Sequence, residues 1–158
     1  MLHVNNKKQS CLSVTVAFFM AIFFSCAAIA QDSTSVRKGN YEVYYSVFNS
    51  SFLQPETAVA IDVKRAKNIA LINIAIIEHL PDGATQASKA GTIKGTAFNL
   101  VHKNTLKFQE IVEPGAVYYL AKFKISNDNE KIVIKTAVKP ENSKQVIDVE
   151  FEHHFYLN

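Results

Sequence analysis

Two adjacent histidines near the end of the chain are the residues best suited to metal or acid–base chemistry. They are His153 and His154, and Glu152 precedes them in the segment FEHHFYLN. From Ile147 onward apolar and polar residues alternate, which is typical of a half-buried strand. Successive side chains of a strand point to opposite faces, so the two imidazoles cannot chelate one ion together. The sequence therefore predicts no metal site and no cofactor here, with His154 in solvent and His153 on the apolar face. The alternative is a metal ion held by His154 with Glu152 or Glu150, which share its face.

The usual catalytic motifs do not occur in the sequence. It contains no G-x-S-x-G, no H-E-x-x-H and no phosphate-binding loop, although these patterns mark many serine hydrolases, zinc peptidases and nucleotide enzymes. Its two cysteines, Cys11 and Cys26, both lie in the N-terminal segment. We therefore expect a protein that is not an enzyme. The alternative is a hydrolase-type site assembled from distant strands, which would leave no motif.

A polar break, Asn49-Ser50-Ser51, follows an aromatic strand that is predicted over residues 41–48. No apolar side chain falls there on either face, so the strand cannot continue in its apolar register. Asn and Ser side chains hydrogen-bond nearby backbone groups at turns, and Pro55-Glu56 is a typical start for a short helix. We interpret the break as a structural corner. The alternative is that Asn49, Ser50 and Ser51 form an interaction surface.

Lys64, Arg65 and Lys67 form a basic cluster after the predicted helix. Three cations at close quarters attract phosphate, so the cluster would suit an anionic lipid head group or a cell-wall polymer. The competing interpretation is a solvated loop that guards the aggregation-prone strand beside it. The candidate interaction surface predicted from the sequence joins this cluster to the polar break.

Strands must position all of these residues. The segment NIALINIAII, residues 68–77, is short, β-branched and apolar on both faces, which predicts a central strand. Residues 80–90 are predicted to be a polar loop. Further strands are predicted over residues 92–101, 106–112, 116–125, 131–138 and 146–156, with turn signals between them. Seven strands with short links and one short helix predict an all-β fold, a two-sheet antiparallel sandwich with an immunoglobulin-like topology.

Charged side chains are expected to set the pairing of the last two strands. Lysines recur at spacings of four along the first strand and acids alternate along the second: Lys131, Lys135 and Lys139, then Asp148, Glu150 and Glu152. In a hairpin these side chains can lie opposite one another, and each cross-strand ion pair contributes about 0.2 to 1 kcal/mol. Such pairs would fix the register more than the stability.

The N-terminal segment has the order of parts of a secretory signal peptide. Lys7 and Lys8 precede a mostly apolar run, and Ala28-Ile29-Ala30 is a small-x-small cleavage site. Residues 1–30 are therefore predicted to be removed on export. The alternatives are an uncleaved membrane anchor and a lipoprotein modified at Cys26.

The remaining chain is predicted to hold a flexible leader, residues 31–40, and a single β-sandwich domain, residues 41–158. The full chain has 17 basic and 14 acidic residues, and the loss of Lys7 and Lys8 leaves 15 basic ones. A nucleic-acid-binding face needs a strong excess of basic residues, which this nearly even charge balance does not supply. A domain of this length can also bury a core without disulfides.

Five segments of the sequence are similar to one known family. They are NSSFL (49–53), P-E-x-A (55–58), KRAKNIALINIAII (64–77), KGTAFNL (94–100) and VYYLAKFKIS (117–126). Together they resemble a family of small exported proteins of Gram-negative bacteria, domain of unknown function 4426, over residues 41–156. The resemblance implies a periplasmic β-sandwich and assigns no activity, cofactor or catalytic residue.

We therefore expect a periplasmic, non-enzymatic β-sandwich that binds a protein or another component of the cell envelope. Loops on a rigid scaffold commonly carry such binding. One alternative is a small-ligand carrier with an aromatic-lined pocket. A second is an assembling, pilus-like subunit that accepts a strand from another chain.

Overall fold

The computed structural model describes residues 34–157 as ten strands and one short helix. The predicted signal peptide, its two alternatives and the first residues of the predicted leader lie outside the described residues. All strands of the described part lie in one compact unit, residues 32–158. None of the helices in the described part is long and apolar enough to cross a membrane.

The elements follow one another with mostly short connections. In chain order they are β1 (Thr34–Lys38), β2 (Tyr41–Asn49), a 3-10 turn (Ser50–Phe52), α1 (Pro55–Ala60), β3 (Ile69–His79), β4 (Thr85–Ser88), β5 (Ala90–Phe98), β6 (Lys103–Leu106), β7 (Gln109–Glu113), β8 (Ala116–Lys124), β9 (Glu130–Pro140) and β10 (Ile147–Phe155). Sheet I has the order β1-β2-β3-β8-β7, with β4 also paired to β3, and sheet II has the order β10-β9-β5-β6. All pairs are antiparallel.

The strand order confirms the predicted all-β, two-sheet antiparallel sandwich. Strands β2-β3-β8-β7 of sheet I follow the A-B-E-D order of an immunoglobulin-type sheet, and β10-β9-β5 of sheet II follow the order G-F-C. Ten strands form instead of about seven, because β1, β4 and β6 are added to this pattern. The predicted short helix is α1, which begins at Pro55.

Several predicted boundaries were wrong. Residues 34–38, placed in the flexible leader, form β1, since they pair along β2 and Val36 packs against the core. The predicted polar loop at 80–90 contains β4, which pairs with the end of β3. The predicted strand at 106–112 belongs to two strands, β6 and β7, because the chain crosses from sheet II to sheet I at Lys107-Phe108. The turn predicted at residues 102–104 includes the start of β6.

The core lies between the inner faces of the two sheets. The inner side chains of β3, including Ile72, Ile74 and Ile76, are fully buried. Aromatic rings join the sheets: Tyr45 stacks on Phe151 with centroids 4.4 Å apart. Tyr45 and Phe151 are thus packed into the core and do not line a pocket for a ligand.

Tyr119 of β8 ties the two sheets together by hydrogen bonds. Its hydroxyl donates to the Glu110 carboxylate at 2.7 Å and accepts the Ala90 backbone N–H at 2.8 Å. Burial raises the pKa of Tyr119 to about 12, so the hydroxyl remains a donor at all ordinary pH values.

Tyr119→Phe is expected to lower the free energy of unfolding by about 1 to 3 kcal/mol, because it removes both bonds and leaves a buried N–H without a partner. The matched control is Tyr118→Phe, at the next residue on the outer face, which should change it by less than about 0.5 kcal/mol. Urea unfolding measures both variants. Equal losses in the two would contradict the bridging role.

The last two strands pair as the charges predict. Glu150 lies opposite Lys135 in the ladder, and their charged atoms are 2.8 Å apart. Lys131 contacts Glu152 diagonally at 2.7 Å. The pairing is confirmed for these four residues, whereas Asp148 lies opposite Ala137 rather than a lysine.

Candidate binding surface at the loop end

One end of the sandwich carries most of the irregular structure. We call it the loop end: residues 50–68, 99–102, 125–129 and 156–157. The ladder positions define it, since Ile69 pairs with Lys124 in sheet I and Phe155 pairs with Glu130 in sheet II. All six residues of the predicted interaction surface lie on or beside this end.

Asn49, the last residue of β2, is buried and joins three segments. Its side-chain amide donates to the backbone carbonyl of Lys67 at 2.8 Å and to that of Tyr156 at 2.8 Å. The first bond holds the entry to β3 and the second holds the chain after β10. Asn49 therefore secures the corner at which both sheets end.

Ser50 is fully buried and secures the same corner from the next position. Its hydroxyl accepts the Ala66 N–H at 2.9 Å and lies 2.9 Å from the Lys64 carbonyl oxygen, to which it donates. These bonds replace the strand ladder that ends at Asn49. They agree with the interpretation of the polar break as a structural corner.

Asn49 and Ser50 were wrongly placed on a candidate interaction surface, because neither side chain reaches the surface. The other four predicted residues are accessible: Ser51 is half-buried, and Lys64, Arg65 and Lys67 are exposed. Arg65 donates to the Ser51 carbonyl at 3.1 Å. The structure thus brings the polar break and the basic cluster together. Asn49 and Ser50 are buried and support the corner, whereas the three basic side chains are exposed.

Glu130 supports the opposite side of the loop end. Its carboxylate accepts the backbone N–H groups of Ser126 at 2.6 Å and Asn127 at 3.1 Å, and the Asn99 amide donates to its other oxygen. Burial opposes its ionisation, yet these hydrogen bonds outweigh burial and the pKa of Glu130 is lowered. We call Asn49, Ser50 and Glu130, with their hydrogen bonds, the polar frame.

Exposed apolar side chains project from the loops that this frame holds. Seven large apolar residues are strongly exposed in the described part of the chain, and five belong to the loop end: Phe52, Val59, Leu100, Val101 and Tyr156. Phe52 is 77% exposed and Val101 is 80% exposed. Because large exposed apolar patches mark interaction sites, these five side chains make the loop end the candidate contact surface.

A groove of about 510 Å³ opens beside the tip formed by Leu100 and Val101. Phe98 and Val133 supply the rest of its apolar wall, and the loop at residues 127–129 supplies a polar wall. Such a mixed lining suits an apolar group that carries a few hydrogen-bonding atoms.

The sequence interpretation missed this tip because it placed residues 100 and 101 inside a strand. The strand ends at Phe98, since the Asn99 side-chain oxygen accepts the N–H groups of Val101 at 2.8 Å and His102 at 2.5 Å. Asn residues commonly form such turns. Asn99 was the signal in the sequence that could have revealed the tip, because an Asn side chain can form a turn with the residues after it and so end a strand.

The two histidines lie on opposite faces of β10, as predicted. His154 is exposed and lies 3.1 Å from the Asn129 side-chain oxygen, whereas His153 packs edge-on against Phe155. Burial, and then the charge of His154, lowers the pKa of His153. Within residues 34–157, no three His, Cys, Asp or Glu side chains are grouped closely enough to hold a metal ion.

Comparison with known proteins decides the family. The family model of a domain of unknown function, DUF4426, matches residues 35–158. The chain belongs to the DUF4426 family. None of the curated proteins compared with it matches.

A crystal structure of a DUF4426 family protein from Pseudomonas aeruginosa is similar to this chain. The two share 31% sequence identity and superpose with a TM-score of 0.67, over 79% of this chain and 95% of that one. The DUF4426 resemblance seen in the sequence is therefore confirmed, and the family name assigns no activity.

Proposed function

We propose that this DUF4426 protein is a periplasmic, non-enzymatic binding module whose loop end engages a protein or another component of the cell envelope. One observation carries the proposal: within residues 34–157, five of the seven strongly exposed large apolar side chains lie at one end of the sandwich. The signal-like N-terminal segment supports the location.

The polar residues of the loop end favour binding over catalysis. Asn49, Ser50 and Glu130 are each committed to backbone or side-chain partners within the frame. A nucleophile or base must instead face the substrate with a neighbouring group that activates it. The outward-facing residues include the exposed apolar side chains and the basic cluster, which are types that form contact surfaces, beside exposed acids such as Glu56, Asp62 and Asp128.

The basic cluster supports a partner with negative charge at the rim of the contact. Lys64, Arg65 and Lys67 are exposed beside the 3-10 turn that carries Phe52. Rim charges of this kind guide association and contribute less to final affinity than a buried apolar centre does. Salt should therefore slow binding more than it weakens the bound complex.

A photo-reactive amino acid at position 101 tests the proposal in cells that make the protein. We expect one discrete covalent adduct from this position and at least a tenfold lower yield from position 137, a half-buried alanine on the outer face of β9. Equal yields from both positions, or adducts spread over many masses, would contradict a specific loop-end contact.

A further inference from the structure

The outer face of sheet I is apolar although no layer covers most of it. Strand β3, apolar on both faces in the sequence, points Leu71, Ala75 and Ile77 outward together with Asn73. Leu71 is buried beside Ile61 of the α1 segment. The other three positions are half-buried and have no third layer above them within the described residues.

Neighbouring strands extend this apolar face. The ladders place Tyr44 and Tyr118 on either side of Ala75, and Ser46 and Leu120 on either side of Asn73. Outer faces of two-layer sandwiches normally alternate to polar residues. A strand that is apolar on both of its faces is instead typical of a sheet that is covered on both faces.

Sheet II shows the normal arrangement in the same molecule. Its outer face carries the ion pairs of Lys131 with Glu152 and of Lys135 with Glu150. The outer face of sheet II is therefore suited to contact water, whereas the outer face of sheet I is suited to contact a further layer.

Asn73 lies at the centre of the apolar face with an unmet hydrogen bond. Its side-chain oxygen is shielded from solvent and has no partner. Such a group costs stability unless a donor reaches it. An amide is self-complementary, since it carries both a donor and an acceptor, and rotation about its broad terminal torsion can present either one.

We propose that two copies of this chain associate face to face through the outer face of sheet I, with a two-fold axis beside Asn73. In this arrangement the two Asn73 amides face each other across the axis, and rotation of each amide would expose its shielded oxygen to the N–H of the other. A two-fold contact of a surface with itself is the commonest form of homo-oligomer. A single buried polar residue at such an interface also fixes its register.

The available area suits a weak, reversible dimer. From strand spacing and rise, the footprint of the apolar face is about 500 Å² on each copy. Its side chains are half-buried, so a contact would bury less accessible surface than two such footprints, which is below the range of stable interfaces, about 1,200 to 2,000 Å². We therefore expect dissociation in the micromolar range.

The charges at the ends of the face are also complementary under this symmetry. One end carries Glu42 and Glu113 with Arg37, and the other carries Lys122 and Lys124. A two-fold axis perpendicular to the strands brings the net negative end of one copy to the positive end of the other. This inference does not rest on the proposed function.

Sedimentation equilibrium on residues 32–158, from about 1 to 300 µM, tests the proposal. We expect a monomer–dimer equilibrium that Leu120→Lys weakens on the order of 100-fold, while its thermal unfolding midpoint stays near that of the parent protein. The matched control, Thr96→Lys on the outer face of sheet II, should dimerise normally. Ile77→Lys replaces Leu120→Lys if that variant does not fold.

The register is tested by Asn73→Leu, which should still dimerise because the apolar face is kept, but without the single alignment that the amide pair fixes. A parent protein that remains monomeric across the range would overturn the proposal, even if another protein proved to bind this face. A dimer that survives both lysine substitutions on sheet I, or that Thr96→Lys breaks equally, would overturn it as well.

Discussion

Asn49→Asp is expected to lower the free energy of unfolding by about 3 to 5 kcal/mol at neutral pH, because it leaves a buried charge uncompensated. The substitution keeps the shape of the side chain and replaces its amide donor with a carboxylate oxygen. That oxygen would face the carbonyl oxygens of Lys67 and Tyr156, which the amide now contacts at 2.8 Å each. Repulsion and buried charge both oppose the folded state.

Asn49→Ala removes the same bonds without adding charge. The sequence alone predicts a loss of about 1 to 2 kcal/mol, typical of a lost capping bond. Two backbone acceptors and near-complete burial place the expected loss at about 2 kcal/mol or slightly more.

Urea unfolding of both Asn49 variants, with the exposed Asn68→Asp as control, checks this order. The control should change the free energy of unfolding by less than about 0.5 kcal/mol. If Asn49→Asp were no less stable than the parent protein and instead lost a partner, the polar break would be a working surface and the corner interpretation would fail.

Glu130→Gln is expected to lower the free energy of unfolding by about 2 to 3 kcal/mol at neutral pH, because hydrogen bonds to a charged acceptor are the stronger kind. The new amide would also face the Asn99 amide, whose own oxygen already accepts two backbone N–H groups. One donor therefore loses its acceptor.

The same substitution should weaken the dependence of the free energy of unfolding on pH under acidic conditions. The pKa of Glu130 is lowered from its ordinary value of 4.5 in the folded protein. Its contribution to stability is therefore present above pH 4.5 and is lost as the pH falls through the folded value. The parent protein should lose more stability than Glu130→Gln does in that window.

The control for this comparison is Glu152→Gln, which removes the exposed ion pair with Lys131. Exposed pairs contribute little, so we expect a change of less than about 1 kcal/mol. Thermal unfolding of the three proteins between pH 3 and 7 measures both effects. Parallel curves for the parent protein and Glu130→Gln would contradict the assigned role of the carboxylate.

The sequence predicts the long strands because each contains its own signal. Alternation marks β2 and β10, and apolar residues on both faces mark β3 as central. The short strands carry no such signal: β1 and β4 are polar, and they form because a long neighbour offers them a ladder. Lys107-Phe108 also looks like strand, since a crossing between sheets leaves no trace in local periodicity.

The sequence predicted a candidate surface at the polar break and the basic cluster, but it did not show which of these residues are buried, and it missed the tip at Leu100 and Val101. Asn49 bonds to the carbonyl of Tyr156, a residue far along the chain, and no local pattern reveals that contact. Leu100 and Val101 resemble strand residues until the Asn99 turn is known. Tertiary contacts therefore decide which residues support the loop end and which face a partner.

The central claim is that the polar frame stabilises the loop end while its exposed apolar residues bind. The most direct test combines the substitutions Leu100→Ser and Val101→Ser with a photo-reactive residue at position 52, and measures unfolding free energy and adduct yield together. We predict a free energy of unfolding within about 0.5 kcal/mol of the parent protein and loss of the adduct. An adduct of unchanged yield, or a loss of about 2 kcal/mol or more in unfolding free energy, would contradict the claim.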